Sequence, residues 1–179
     1  MPGNAFINFA EVATGESTHD THNGGKGWIE ISDWSWDIES DTSFLKGSGA
    51  AVGKPTPGSL SFTHYYDLSS PQIMSKIVQG TSFSVVHIVS LKQTGESTGK
   101  GEVYFGMTMR DCFMTKVSSK GGEDGAVTQD IEMVFKSVAV GYKKQLDNGK
   151  LDQKATDFIW DIAKMKTDGV DVFQKWKGD

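Results

Sequence analysis

The sequence predicts a mainly β domain, a barrel or a sandwich, carrying one short α-helix. Three observations lead there. Runs of alternating apolar and polar residues recur from Asn4 to Tyr142. The links between them are polar and glycine-rich, with 21 Gly in 179 residues. Only residues 70–80 combine helical periodicity with helix punctuation. Strands joined by polar links rather than by helices argue against repeated βαβ units.

Residues 4–12 alternate with Ala5, Ile7 and Phe9 on one side, a first strand that ends at the polar loop ATGESTHDTHNGGKG. Residues 28–38 are β-branched and aromatic. Read as one strand, they put Trp28, Trp34 and Trp36 on a buried face and Ile29, Ile31, Asp33, Ser35 and Asp37 on the other, which turns polar toward its end. Residues 39–58 hold two of the four prolines and little periodicity, so a long connection without regular structure is expected, and with it an interaction element. Residues 60–66 alternate again. In the segment that follows, Ser70 suits a cap, Pro71 a first helical position and Gly80 a left-handed C-terminal stop. Ile73, Met74, Ile77 and Val78 form one apolar stripe on this helix, expected to pack on a sheet because so short a helix does not persist alone. Three further strands are expected at 83–91, 102–117 and 127–142. Residues 158–165 fit a last strand or a short helix. One β domain over 1–163 is predicted, with 164–179 as a C-terminal tail in which Phe173 and Trp176 could pack on the domain or on a neighbour.

Composition excludes several classes. Hydrophobic residues make up 37% and aromatics 11%, enough for one core and too many for a disordered chain. The net charge is -5, so the surplus of Lys and Arg that neutralises phosphate is missing and no nucleic-acid partner is expected. Cys112 is the only cysteine, which rules out an intrachain disulfide. The first residues, MPGNAFINFAEV, lack a basic segment and an apolar core, and no window is long enough for a membrane-spanning helix. No stable membrane insertion is expected, and the chain reads as cytoplasmic, with any export independent of a cleaved signal peptide.

Candidate chemistry is sparse. His19, Asp20 and His22 offer zinc or iron ligand types, but no third histidine lies near and the plain reading is a solvated loop. His64, beside Tyr65, Tyr66 and Asp67, could be drawn as an acid/base group, yet no nucleophile accompanies it. His87 sits in mid-strand as a packing residue, and Cys112 has no CxxC partner. No phosphate loop, dinucleotide fingerprint or HExxH occurs. No catalytic residue, metal or cofactor is therefore expected, and an enzyme is disfavoured.

Four stretches, in order, resemble the haemolysin-coregulated protein (Hcp) family of bacterial type VI secretion systems: GEST at 15–18 with WSW at 34–36, LSFTHYYDLSSPQI at 60–73, GGEDGAVTQDIEMVF at 121–135, and FIWDI at 158–162. The resemblance implies a compact β-barrel of two sheets with one flanking helix, similar to phage tail-tube proteins. It implies a homohexameric ring, stacked rings forming a tube, a contractile sheath and spike proteins as partners, and small effector proteins carried in the lumen. It implies that Asp33, Ser35 and Asp37 face that lumen. It also implies that residues 39–58 form an extended loop reaching a neighbouring subunit or ring through Thr42, Ser43, Phe44, Leu45 and Lys46. A monomeric ligand-binding barrel is the alternative from another class.

Overall fold

The computed structural model describes residues 4–43, 51–95 and 99–167. Eleven strands and one helix follow in the order β1 (Ala5–Phe9), β2 (Trp28–Glu30), β3 (Asp33–Ser35), β4 (Ile38–Ser43), β5 (Ala51–Pro57), β6 (Leu60–Tyr65), α1 (Ser70–Gln79), β7 (Phe83–Lys92), β8 (Glu102–Gly121), β9 (Val127–Val134), β10 (Ser137–Tyr142) and β11 (Thr156–Asp161). The hydrogen-bonded path runs β2-β1-β7-β8-β9-β6-β3, with β10 also on β8 and β11 on β10. Its ends, β2 and β3, do not pair with each other, so the predicted barrel is not closed by hydrogen bonds. Two sheets sharing β8 enclose the core instead.

The sharing follows from a bend in β8. Its first half pairs with β7, from Lys92↔Glu102 to Phe83↔Cys112, and with β10, from Tyr142↔Phe105 to Ser137↔Arg110. Its second half pairs with β9 from Phe113↔Val134 onward. At the corner Asp111 takes a positive φ of 52°, a region that Asp tolerates better than most residues. Opposite it the partner strand breaks at Phe135 and Lys136, and the Lys136 amide donates to the Arg110 carbonyl at 3.1 Å. The single strand predicted over 127–142 is thus β9 and β10, turning the corner together with β8.

A similar transfer divides the predicted strand 28–38. β2 pairs with β1, through Asn8↔Trp28 and Phe6↔Glu30, whereas β3 pairs with β6 through Trp34↔Phe62. Between them the Ile31 amide donates to Ala5 and the Ser32 amide to Thr63, so the chain changes sheets within two residues. The crossing shifts the inward parity. Ile29 and Ile31 enter the main core, and beyond the crossing Trp34 and Trp36 pack against it, while Trp28 lies with Phe6, Val89 and Leu91 in a second cluster on the other face of the first sheet. The expectation that all the odd positions face outward fails at Ile29 and Ile31.

The main core is tightly filled. Phe9, Phe62, Phe83, Ile88, Met107, Met109, Ile131 and Met133 are buried, and the Phe9 ring lies 4.7 Å from Phe83 and 6.0 Å from Phe62. Each such side chain contributes about 1.5–3 kcal/mol. The region expected to lack regular structure is a separate hairpin, β4-β5, with Ile38↔Pro57 and Ser40↔Pro55 in register and a bulge between Ser40 and Thr42. Pro55 and Pro57 have no amide to donate, which suits a two-stranded ribbon outside a larger sheet and hides its strand signal.

Helix α1 begins at Ser70 rather than after it. The Asp67 carboxylate, not Ser70, accepts from the helix start: Oδ1 takes the Ser69 amide at 2.9 Å and the Ser69 hydroxyl, while Ser70 Oγ accepts from the Asp67 amide at 3.0 Å. A carboxylate there also opposes the positive end of the helix dipole. Gly80 closes the helix at φ 65°. Ile73 is fully buried and Ile77 packs on the core, but Met74 is 39% and Val78 86% exposed. The predicted packed stripe of four narrows to one side of the helix, and Met74 and Val78 are not packing residues.

Of the last strand or short helix expected over 158–165, the chain forms the strand, β11, at Thr156–Asp161. After it the chain turns back, and Asp161 and Lys166 exchange amide-to-carbonyl bonds at 2.7 and 3.1 Å. The rest of the predicted tail, including Phe173 and Trp176, lies outside the described residues.

Candidate functional site

The outward face of the second sheet gathers the polar side chains. Alternation in β6 sends Leu60, Phe62 and His64 inward and Ser61, Thr63 and Tyr65 outward; in β9, Gln129, Ile131 and Met133 go inward and Thr128, Asp130 and Glu132 outward. The registers Ser35↔Ser61, Ser61↔Glu132 and Lys116↔Glu132 align one row across four strands. Asp33↔Thr63, Thr63↔Asp130 and Ser118↔Asp130 align the next.

Neighbours satisfy each other laterally along these rows. Ser35 Oγ lies 2.7 Å from Ser61 Oγ, and the Thr63 hydroxyl donates to Asp130 Oδ1 at 2.8 Å. Lys120 pairs with Asp130, and Lys116 lies 3.6 Å from Glu132. The Lys120 ammonium, then the Thr63 hydroxyl, hold the Asp130 carboxyl below its usual range, and Asp130 in turn raises Lys120. A shallow hollow of about 380 Å³ crosses the wall, lined in part by Asp33, Thr63, Lys116 and Lys120. Small hydroxyls and opposed charges held to one another give a wetted, mainly polar surface, with the exposed Tyr65 ring at the end of β6.

Of the predicted lumen residues, Asp33 and Ser35 share this face. Asp37 does not; it is exposed at the base of the β4-β5 hairpin, where its carbonyl accepts from the Gly58 amide at 2.9 Å and its carboxylate fills the space a Gly58 side chain would need. Thr42 and Ser43 pair with Val52 and Ala51 near the hairpin end, while Phe44, Leu45 and Lys46 lie outside the described residues. The sequence reading stopped at one strand and so missed Ser61, Thr63, Lys116, Ser118, Lys120, Asp130 and Glu132. The alternation in LSFTHY and TQDIEMV carried the signal for four of them.

The histidines are structural. His22 is buried rather than solvated, stacked on Phe6 at 5.5 Å and edge-on to Trp28 at 4.7 Å. Burial, then the charges of His19 and Lys26, push it down to about 4. His19 Nδ1 accepts the Thr21 and His22 amides, so its Nε2–H donates to the Lys100 carbonyl at 2.9 Å. His64 Nε2 meets Gln129 Oε1 at 2.9 Å within the core, and His87 Nδ1 meets Thr108 at 2.9 Å. Burial, then Asp111 and Glu11, raise the Cys112 thiol far above its usual range, so it is inert. Among the described residues no cluster of three or more His, Cys, Asp or Glu could hold a metal ion, and no helix is long and apolar enough to cross a membrane. A hollow of about 860 Å³ is an open cleft touching Glu30, Tyr65, Lys92 and Tyr104 rather than a chamber between the sheets.

Comparison with known proteins agrees with this architecture. The family described as "Type VI secretion system effector, Hcp" matches residues 6–142. Protein hcp1 of Pseudomonas aeruginosa is 30% identical over 166 residues, covering 92% of this chain and 98% of that protein. The crystal structure of Hcp1 from Salmonella typhimurium superposes with a TM-score of 0.71 at 25% identity, covering 93% of this chain and 99% of that one. The structure of a type six secretion system protein reaches a TM-score of 0.81 at 24% identity, covering 92% and 98%, a likeness of fold. A family match over most of the chain and a relative aligned along nearly its whole length assign this protein to the Hcp family of type VI secretion tube proteins.

Proposed function

We propose that this chain is a ring-forming subunit of the secretion inner tube: six copies close head to tail, rings stack, and the outward face of the second sheet lines the lumen. The polar wall is the observation that carries the reading. Asp33, Ser35, Ser61, Thr63, Asp130 and Glu132 form a polar surface in which Ser35 meets Ser61, Thr63 and Lys120 meet Asp130, and Lys116 lies near Glu132, suited to a passage through which folded cargo slides without sticking. Small effector proteins are the cargo, and the sheath and spike of the machine are the outer partners. β3 pairs only with β6 among the described residues, so its open edge is available to a neighbouring subunit. The β4-β5 hairpin, with Thr42 and Ser43 leading to Phe44, Leu45 and Lys46, is the element that reaches the next subunit or ring. Export follows from being part of the expelled tube and needs no cleaved signal.

Heterologous contacts that close make rings, and rings with complementary faces make tubes. Deleting residues 42–52 leaves hexamers and abolishes stacking, read by sedimentation velocity. Loss of the hexamer itself in this variant would place the hairpin in the ring interface and refute its assignment to stacking.

A further inference from the structure

We propose that the open cleft where the two sheets part is a carbohydrate site, taking a neutral oligosaccharide across the rings of Tyr65 and Tyr66. Ile31 and Ser32 carry the chain from one sheet to the other there, β1 begins and β7 ends beside them, and β6 runs out at Tyr65. The volume of about 860 Å³ falls within the range of small-molecule sites, roughly 300–1,000 Å³. The cleft lies within one chain, so the proposal does not rest on ring assembly.

Aromatic rings line it. Tyr65 is 66% and Tyr66 41% exposed, and Tyr104 is a third ring on the wall. Two of the three are steadied by neighbours: the Tyr66 hydroxyl donates to Met74 Sδ at 3.6 Å, and Lys92 Nζ lies 5.9 Å from the centre of the Tyr104 ring. Tyr65 keeps most of its surface in water, because alternation along β6 turns it away from the core. Such a ring gains when a ligand covers its face, and its hydroxyl stays free to meet a polar edge.

Charge and polarity decide what covers it. Glu16, Glu30 and Asp67 stand on the same cleft against the Lys92 ammonium, an acidic balance that repels phosphate, sulfate and carboxylate ligands. Asp67 Oδ1 is taken up by the Ser69 amide and hydroxyl, which leaves Oδ2 to accept from a ligand hydroxyl, and the exposed Asn4 adds an amide. A wholly apolar ligand would cover these groups without pairing them. A sugar ring meets both demands, since its C–H face lies on an aromatic ring while its hydroxyls bond carboxylates and amides around the rim.

Saturation-transfer NMR on the full-length protein tests the proposal, with N,N′,N″-triacetylchitotriose and cellotriose as neutral probes and a sulfated chondroitin disaccharide as the anionic one. The expected result is saturable transfer to the ring protons of a neutral probe and none to the sulfated one. Tyr65→Ala should weaken binding about three- to tenfold, whereas Tyr65→Phe, which keeps the stacking face, should stay within about twofold of the original. Val78→Ala, exposed on α1 and outside the cleft, should change nothing. Absence of transfer to both neutral probes overturns the proposal, as does affinity that survives Tyr65→Ala or a preference for the sulfated probe. Full displacement of the sugar by acetyl-trialanine amide also overturns it, because the cleft then takes peptide.

Discussion

Replacing His22 with phenylalanine removes one titrating group from a buried aromatic site while keeping its stacking on Phe6 and its edge contact with Trp28. The ordinary histidine value is 6.5, and burial lowers it to about 4 in the folded protein. Above the ordinary value both folded and unfolded chains hold the ring neutral, and nothing is lost. As the pH falls below it the unfolded chain takes up a proton that the folded site refuses, so stability drains away down to the folded value. Worked through at about pH 4.5, that difference is about 2.5 kcal/mol relative to about pH 7.5. His19 and Lys26 add positive charge against the protonated ring, while Glu102, Lys143 and Asp152 line the adjoining hollow and remain in both proteins. Denaturant unfolding of both proteins at one protein concentration measures the difference, because every other group's contribution cancels in the comparison. The original protein should lose about 2 kcal/mol more than His22→Phe on acidification. Equal losses, within about 0.5 kcal/mol, would refute the buried neutral histidine.

Other substitutions test separate parts of the account. Ile73→Ala should cost about 2–4 kcal/mol, whereas Val78→Ala should change stability by less than about 0.5 kcal/mol, because only the first touches the core; denaturant midpoints give both. Gly15→Ala should destabilise by roughly 2–4 kcal/mol, since its Cβ would run into the Trp28 carbonyl, and a wild-type thermal midpoint would refute that close approach. Ser35→Trp should spare ring formation, because its side chain is exposed, and reduce retention of a co-expressed effector in pull-down; loss of the ring would place Ser35 in an interface instead.

What the sequence made legible was mostly what alternation encodes. LSFTHY and TQDIEMV declare their faces, and Pro71 and Gly80 bound the helix as read. Alternation says nothing about where a strand changes partners. The crossing at Ile31 and Ser32 and the corner at Asp111 depend on contacts far along the chain, so a one-residue parity shift stayed hidden. The β4-β5 hairpin was invisible for a different reason, as Pro55 and Pro57 break its pattern while still fitting a ribbon. Met74 and Val78 were misread because periodicity defines the width of an apolar stripe, not which part of it meets a sheet. The polar wall was half legible. Asp33 and Ser35 could be named from one strand, but joining them to Thr63, Asp130 and Lys116 required the registers that bring four strands side by side.

The central claim is that this chain builds rings around the polar face of its second sheet. Negative-stain microscopy of the purified full-length protein, paired with sedimentation velocity across a concentration series, tests it most directly. The account predicts six-fold rings with an open centre and a sedimenting species of six chains, with stacked rings at high concentration. A protein that stays monomeric at the highest concentration reached, with no rings on the grid, would contradict it.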